Sequence, residues 1–316
     1  MHQLVFELNR QGVDAQMVYV AVHNPQEAIH SEFRQYINSW IPFNKIEDEE
    51  GNLVVLGETL TKYCYKLKHS CIALWWLSVD NYLRQCYGTE YFRSIGGVSF
   101  KNTIQYLRSF TWKHIFRKLF FIRRKIDINL VQSYYAQLFA QQHTLSNIEY
   151  LSDYINDIYI LPEEEILKRA RKDIILYNPN KGSEIVEILR EQSKYTWIPL
   201  IGLSNREMKN RLETAKVYVD FGYHPGKDRI PREAAISGCC IITGRRGSAA
   251  NDVDINIPEI YKFHDSPKEC KNISECINAC IVDYSTRSKD FYEYREKIRG
   301  EKKRFEDDVF RLFVRE

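Results

Sequence analysis

The chain lacks most of the signals that assign a protein at sight. Its 8 cysteines stand at 64, 71, 86, 239, 240, 270, 276 and 280 with no paired CxxC spacing and no histidine-rich tract. That pattern argues against a zinc site and fits reduced thiols of a cytosolic protein. No stretch reaches the roughly 18 uninterrupted apolar residues of a membrane-spanning helix. Residues 1–15 show neither a basic leader followed by an apolar run nor a small-residue cleavage site, so a cytoplasmic location is expected. The net charge of +3, from 45 basic and 42 acidic residues, is too small for a general polyanion binder. No nucleic-acid motif accompanies the local basic runs. No DxD motif falls in a loop suited to a metal, and there is no internal repeat or low-complexity segment.

What is present is the balance of a soluble globular protein, 44% hydrophobic and 28% charged over 316 residues. A single core stops growing at about 250–300 residues, so two domains are expected. Leu4, Val5 and Leu8 predict a short helix ending at Gly12, and Gln16 to Val22 (QMVYVAV) predicts a buried strand. Further buried strands are expected at Asn52 to Leu56 (NLVVL) and Cys71 to Leu77 (CIALWWL), with a helix near Thr59 to Leu67 between them and Asn147 to Asp153 closing this half. Alternating strands and helices imply a parallel sheet covered on both faces. The chain opens inside a βα pattern, so this first Rossmann-like domain, residues 1–157, is expected to lack its first strand and glycine-rich turn.

Residues 88–130 read as an insertion without β/α alternation. Within it Trp112, Ile115, Phe116, Leu119 and Phe120 share one helical face, and Arg123, Arg124 and Lys125 follow. Such a basic amphipathic helix either packs on the protein's own core or lies on an anionic membrane surface through 112–125. The polar segment Ile158 to Arg171 suits a hinge. A second alternating series follows over residues 158–300: strand Asp173 to Tyr177, helix Glu184 to Gln192, strand Thr196 to Ile201, helix Asn205 to Ala215, strand Val217 to Phe221, helix Pro231 to Ser237 and strand Cys239 to Thr243. Residues 301–316 are expected to form a helix returning to the first domain.

Ligands of open α/β sheets bind beyond the carboxyl ends of the strands, so the loops there carry the chemistry. Three are informative: YNPNKG with Asn178, Lys181 and Gly182; the loop from Gly222 with His224, Gly226, Lys227, Arg229 and Arg232; and GRRGSA with Arg245, Arg246, Gly247 and Ser248. Pro231 fits a first helical turn, where free amides and the helix dipole favour an anion. Glu233 breaks the basic pattern; it either accepts hydrogen bonds from ribose hydroxyls or complements the dipole at a helix start. In the first half, His23, Asn24, Glu58, Ser78 and Asp80 follow strands. Ser78, Asp80 and Asn81 also suit a helix cap.

The order Arg232, Glu233, Ala234, Ala235, Gly238 and strand CCIIT resembles the GT-B glycosyltransferases, in particular retaining family 4. The resemblance implies two Rossmann-like α/β domains facing a cleft, with the first on the acceptor side. It implies transfer of a sugar from a nucleoside diphosphate sugar to a glycan or lipid-linked acceptor hydroxyl, in cell-surface polysaccharide synthesis at the inner membrane face. Glu233 then matches the ribose-binding glutamate and Lys181 the lysine that contacts the donor diphosphate. The sequence departs from the family at Pro225, where a second glutamate usually stands, and at Asn178 to Asn180, where an arginine is missing. Lys227, Arg229 or Arg245 would supply that second charge. Lys181, Lys227 and Arg229 are the expected groups for stabilising the departing diphosphate. No metal, no cofactor and no nucleic-acid partner are expected. The alternative is a noncatalytic nucleotide- or glycan-binding protein of the same descent.

Overall fold

A computed structural model describes residues 1–22, 24–87 and 119–315. The chain divides into two compact units: Met1–Gln132 with Phe139–Asp153 and Lys302–Glu316, and Ser133–Leu138 with Tyr154–Glu301.

The first unit begins with helix α1 (His2–Arg10), whose Leu4 and Leu8 are buried, and a short parallel pair, β1 (Val18–Tyr19) and β2 (Ile41–Pro42). Only two residues of the run from Gln16 to Val22 form strand, because the partner offered by β2 is equally short. The main sheet comprises β3 (Leu53–Gly57), β4 (Cys71–Trp76), β5 (Ile128–Val131) and β6 (Ile148–Tyr150), all parallel and in sequential order. Its crossovers include a 3₁₀ helix over Glu58–Lys66, α2 (Val79–Tyr87), α3 (Leu119–Ile122) and α4 (Tyr134–Gln142), whose residues up to Leu138 belong to the second unit.

Trp75 and Trp76 of β4 are buried, and their indole N–H groups donate to the Leu151 carbonyl at 2.9 Å and to Asn129 Oδ1 at 3.0 Å. Those partners explain how so bulky and polar-tipped a pair fits a central strand. Three expectations are corrected. Alternation resumes inside 88–130, at β5, where the four apolar or amide residues INLV are too few to signal a strand. The segment near Thr59 to Leu67 is 3₁₀ rather than α-helical. Trp112, Ile115 and Phe116 lie outside the described residues. Of the same stripe, Leu119 is buried while Phe120 is 63% exposed with Arg123 over its ring, so the two do not share a face.

The second unit runs α5 (Glu163–Lys168), β7 (Lys172–Tyr177), α6 (Glu184–Gln192), β8 (Thr196–Pro199), α7 (Asn205–Thr214), β9 (Ala215–Asp220), α8 (Arg229–Ile236), β10 (Cys240–Gly244), β11 (Lys262–Phe263), α9 (Cys270–Val282), α10 (Tyr284–Arg287) and α11 (Tyr292–Arg299). The segment expected as a hinge is instead fixed within this unit. Glu163 at the start of α5 accepts from the buried Arg295 guanidinium and from Arg299. A last helix, α12 (Glu301–Phe313), has its first residue in this unit and the rest in the other.

Short runs of β-branched and aromatic residues form the five parallel strands, and Ile175, Leu176, Val217, Tyr218, Val219, Cys240, Ile241 and Ile242 are all 0% exposed. Burial on both faces is what helices on each side of a parallel sheet produce. α7 starts at a capping box in which Ser204 and Glu207 exchange hydrogen bonds. The strand order is β11-β10-β9-β7-β8. The chain passes from β7 outward to β8, then returns to the other side of β7 as β9. This reversal sets a topological switch point between the carboxyl ends of β7 and β9, where Tyr177 pairs with Val219.

Candidate active site at the switch point

The loops after β7, β9 and β10 meet at that end of the sheet, and two glycines permit the contact. Gly222 has φ +107, and a Cβ there would lie 2.9 Å from the Lys181 carbonyl oxygen. Gly247 has φ +52, and a Cβ there would overlap the His224 carbonyl. Both conformations belong to the left-handed half of backbone space that favours glycine. The Ser248 amide donates to His224 O at 3.0 Å and its hydroxyl donates to Gly226 O at 2.6 Å. Ser248 and Gly247 therefore hold the His224 loop in place from inside, and Ser248 is fully buried.

Lys181 is the centre of the site. Asn178 opens its turn by accepting from the Asn180 amide at 3.1 Å, and Gly182 closes it with φ +59. The Lys181 ammonium lies 2.8 Å from Asp220 Oδ1, 2.6 Å from Asp228 Oδ2 and 3.2 Å from His224 Nδ1. Burial works against its charge, but Asp220 and then Asp228 outweigh that cost and hold its pKa above the ordinary lysine value. Asp228 is likewise pushed up by burial, yet the His224 hydrogen bond and the Lys181 charge bring its pKa below the usual carboxylate value.

The His224 Nε2 faces the Asp220 carbonyl at 3.2 Å. Its Nδ1 faces Lys181 and, at 3.0 Å, Asp228. Asp220, His224 and Asp228 are a group able to hold a metal ion by their spacing, and the Lys181 ammonium already lies against all three. Tyr218, buried beneath, has its pKa raised well above the ordinary value by burial, then by Asp220 and Asp228.

The remaining cations are distributed differently from a single basic rim. Lys227 Nζ lies 2.9 Å from Glu301 Oε1 and Arg232 Nη1 lies 2.8 Å from Glu301 Oε2, with side-chain exposures of 9% and 1%. Arg232 also donates to the Asp228 and Lys227 carbonyls. These two side chains thus organise the loop around one internal carboxylate. Arg229, 54% exposed, reaches Glu233 Oε1 at 2.9 Å, and Glu233 itself is fully buried. Arg245 pairs with Glu259, and Arg246 Nε lies 3.0 Å from Asp265 Oδ2. The structure brings Lys181, Gly182, His224, Gly226, Gly247 and Ser248 together, and adds Asp220 and Asp228, which sequence reasoning missed. An acid ending the strand VYVD and another just before the helix were the available signals. A cavity of about 290 Å³ adjoins the first loop, lined in part by Asn178, Gly182, Glu184 and Glu187.

In the first unit, His23 lies outside the described residues and Asn24 is exposed. Glu58 is buried at the end of β3, and its Oε2 accepts the Leu77 amide at 3.1 Å. Ser78 Oγ accepts the Asn81 amide at 3.3 Å, as a helix cap does, and Asp80 in the first turn of α2 is buried. Elsewhere in the second unit, Asp252 and Asp254 form a DxD whose carboxylates are both engaged, with Lys262 Nζ at 2.6 Å and with the Tyr134 and Tyr135 amides at 2.8 and 2.9 Å. No helix among the described residues is long and apolar enough to cross a membrane.

Two α/β units with parallel sheets, the second carrying its loops at a switch point, have the architecture of the GT-B fold, which the similar solved structures share. No protein-family model matches the chain, and no curated protein matches it in sequence. Among solved structures, sucrose-phosphate synthase from Thermosynechococcus elongatus superposes with a TM-score of 0.66 at 12% identity, over 98% of this chain and 91% of that one. TarM of S. aureus gives 0.54 at 11% identity over 84% of this chain, which spans only 56% of TarM. Anabaena HepE in complex with UDP gives 0.51 at 10% identity, over 83% of this chain and 77% of that one. At such identities the likeness is one of fold.

Proposed function

We propose that this chain is a glycosyltransferase that moves a sugar from a nucleoside diphosphate sugar to a glycan or lipid-linked acceptor hydroxyl. The observation that carries the reading is the Lys181 ammonium at the switch point of the second sheet, the place where open α/β sheets bind their ligands. The fold supports it: HepE is solved with UDP, and TarM with UDP and alpha-GlcNAc-glycerol.

As the anomeric C–O bond breaks, negative charge grows on the departing diphosphate, and a preplaced cation lowers that barrier. Lys181 is the first such group and the exposed Arg229 the second. Glu233, through the ribose hydroxyls, would fix the nucleoside. We assign the reaction as retaining and metal-independent, with Lys181 supplying the positive charge. The test is a thermal-shift screen with UDP, GDP, ADP and CMP sugars, followed by transfer assays. A nucleotide at 100 times its Kd stabilises the folded state by about 2.7 kcal/mol. Lys181→Met should remove that stabilisation and lower transfer about a hundredfold; unchanged binding in the variant would refute the role.

One observation favours the noncatalytic alternative. Lys181, Lys227 and Arg232 each already face an internal carboxylate. Nucleotide binding without hydrolysis or transfer would decide for it. Attachment to an anionic membrane through 112–125 is a further part of the proposal. Liposome flotation with Trp112, Phe116 and Phe120 changed to serine checks it, and binding that survives the changes excludes that segment as the anchor.

A further inference from the structure

The two carboxylates on Lys181 are not equivalent. Asp220 is the last residue of β9, its side chain is 0% exposed, and its place is set by the rigid sheet. Asp228 lies on a loop, and its side chain is 17% exposed. Asp228 also occupies the N-cap position of α8, where an aspartate ordinarily accepts an amide from the first turn, yet its side chain makes no such bond. The third residue of that helix is Pro231, which has no N–H, so a donor the cap would take is missing. The carboxylate turns instead to the Lys181 ammonium at 2.6 Å and to His224 Nδ1 at 3.0 Å.

An ammonium that contacts a ligand's phosphate must release or share a counter-ion to do so. A carboxylate oxygen at 2.6 Å has the charge and the hydrogen-bonding capacity of a phosphate oxygen. We propose that Asp220 is the permanent counter-ion and positioning residue of Lys181, while Asp228 is a stand-in for the ligand's phosphate, held on the ammonium until a diphosphate displaces it. His224 is the partner that Asp228 keeps when it leaves. The inference rests on the reading of this site as a diphosphate site and adds to it a built-in competitor with a distinct signature: removing Asp228 tightens binding, whereas removing Asp220 weakens it.

The experiment is isothermal titration calorimetry of the full chain with UDP, GDP and ADP. For the nucleotide that binds the wild type, Asp228→Asn and Asp228→Ser should both bind about tenfold tighter, the size expected for removing one like charge some 4 Å from a phosphate in a partly screened site. Serine retains a good N-cap, so it controls for helix fraying. Asp220→Asn should bind about tenfold more weakly. In a Lys181→Met background most of the gain from Asp228→Asn should vanish, because the two residues act as one unit. In turnover, KM for the nucleotide sugar should fall in the Asp228 variants without a rise in kcat. Equal or weaker binding by folded Asp228 variants, with the wild type binding normally, overturns the exchange and leaves the diphosphate reading standing. No binding of any of the three nucleotides by the wild type overturns both.

Discussion

Substituting Glu58 by glutamine should flatten part of the protein's response to pH. Glu58 is 4% exposed at the carboxyl end of β3, and burial raises its pKa from 4.5 to about 7 despite hydrogen bonds from its own amide and those of Leu77 and Ser78, which pull the other way. The folded state therefore holds this proton more tightly than the unfolded chain does. The resulting stabilisation is complete below pH 4.5 and is lost as pH rises through about 7. At about 1.36 kcal/mol per pH unit, the interval is worth about 3 kcal/mol. Urea unfolding of the wild type at pH 5 and pH 8 should show a loss of that order attributable to this group. Glutamine keeps an oxygen for the Leu77 amide at 3.1 Å but cannot ionise, so Glu58→Gln should flatten that part of the profile and be the more stable protein at pH 8. Parallel profiles for the two proteins would refute the burial argument. Transfer activity measured beside stability also shows whether Glu58 serves the acceptor: a variant that is stable but inactive gives it a chemical role, and an active one a structural role.

The Glu301 clamp gives a prediction of opposite sign. Glu301→Gln leaves the Lys227 and Arg232 charges, 9% and 1% exposed, without their carboxylate and should cost about 3–5 kcal/mol in urea unfolding at neutral pH; a loss under about 1 kcal/mol would mean that the pair is solvated and unimportant. Removal of divalent ions should leave transfer intact, since Lys181 supplies the positive charge among Asp220, His224 and Asp228. Activity abolished by EDTA and restored by magnesium or manganese would show that a metal does that work.

The second sheet was the more legible part of the sequence. IILY, TWIP, VYVD and CIIT are short apolar runs between turns, and the helices Glu184–Gln192 and Asn205–Thr214 fall where their periodicity puts them. In the first unit, β5 has only four residues and follows a long segment without periodicity, so nothing local marked it. The loops after β7, β9 and β10 were identified by position, and with them Lys181, His224 and Ser248. What their side chains do there was not legible. Lys227 and Arg232 looked like a phosphate rim because each follows a strand and carries charge, and their partner stands 69 residues beyond Arg232.

Sequence alone determined the α/β class, the alternation of the second unit and the strand-end loops, because helical and strand periodicity and turn residues act over a few neighbours. Only the tertiary structure decided which charges are engaged and with what. Lys181 meets Asp228 across 47 residues of chain, and the strand order that joins β7 to β9 is what closes that distance. Coulomb energy depends on separation in space, and separation in sequence carries no record of it.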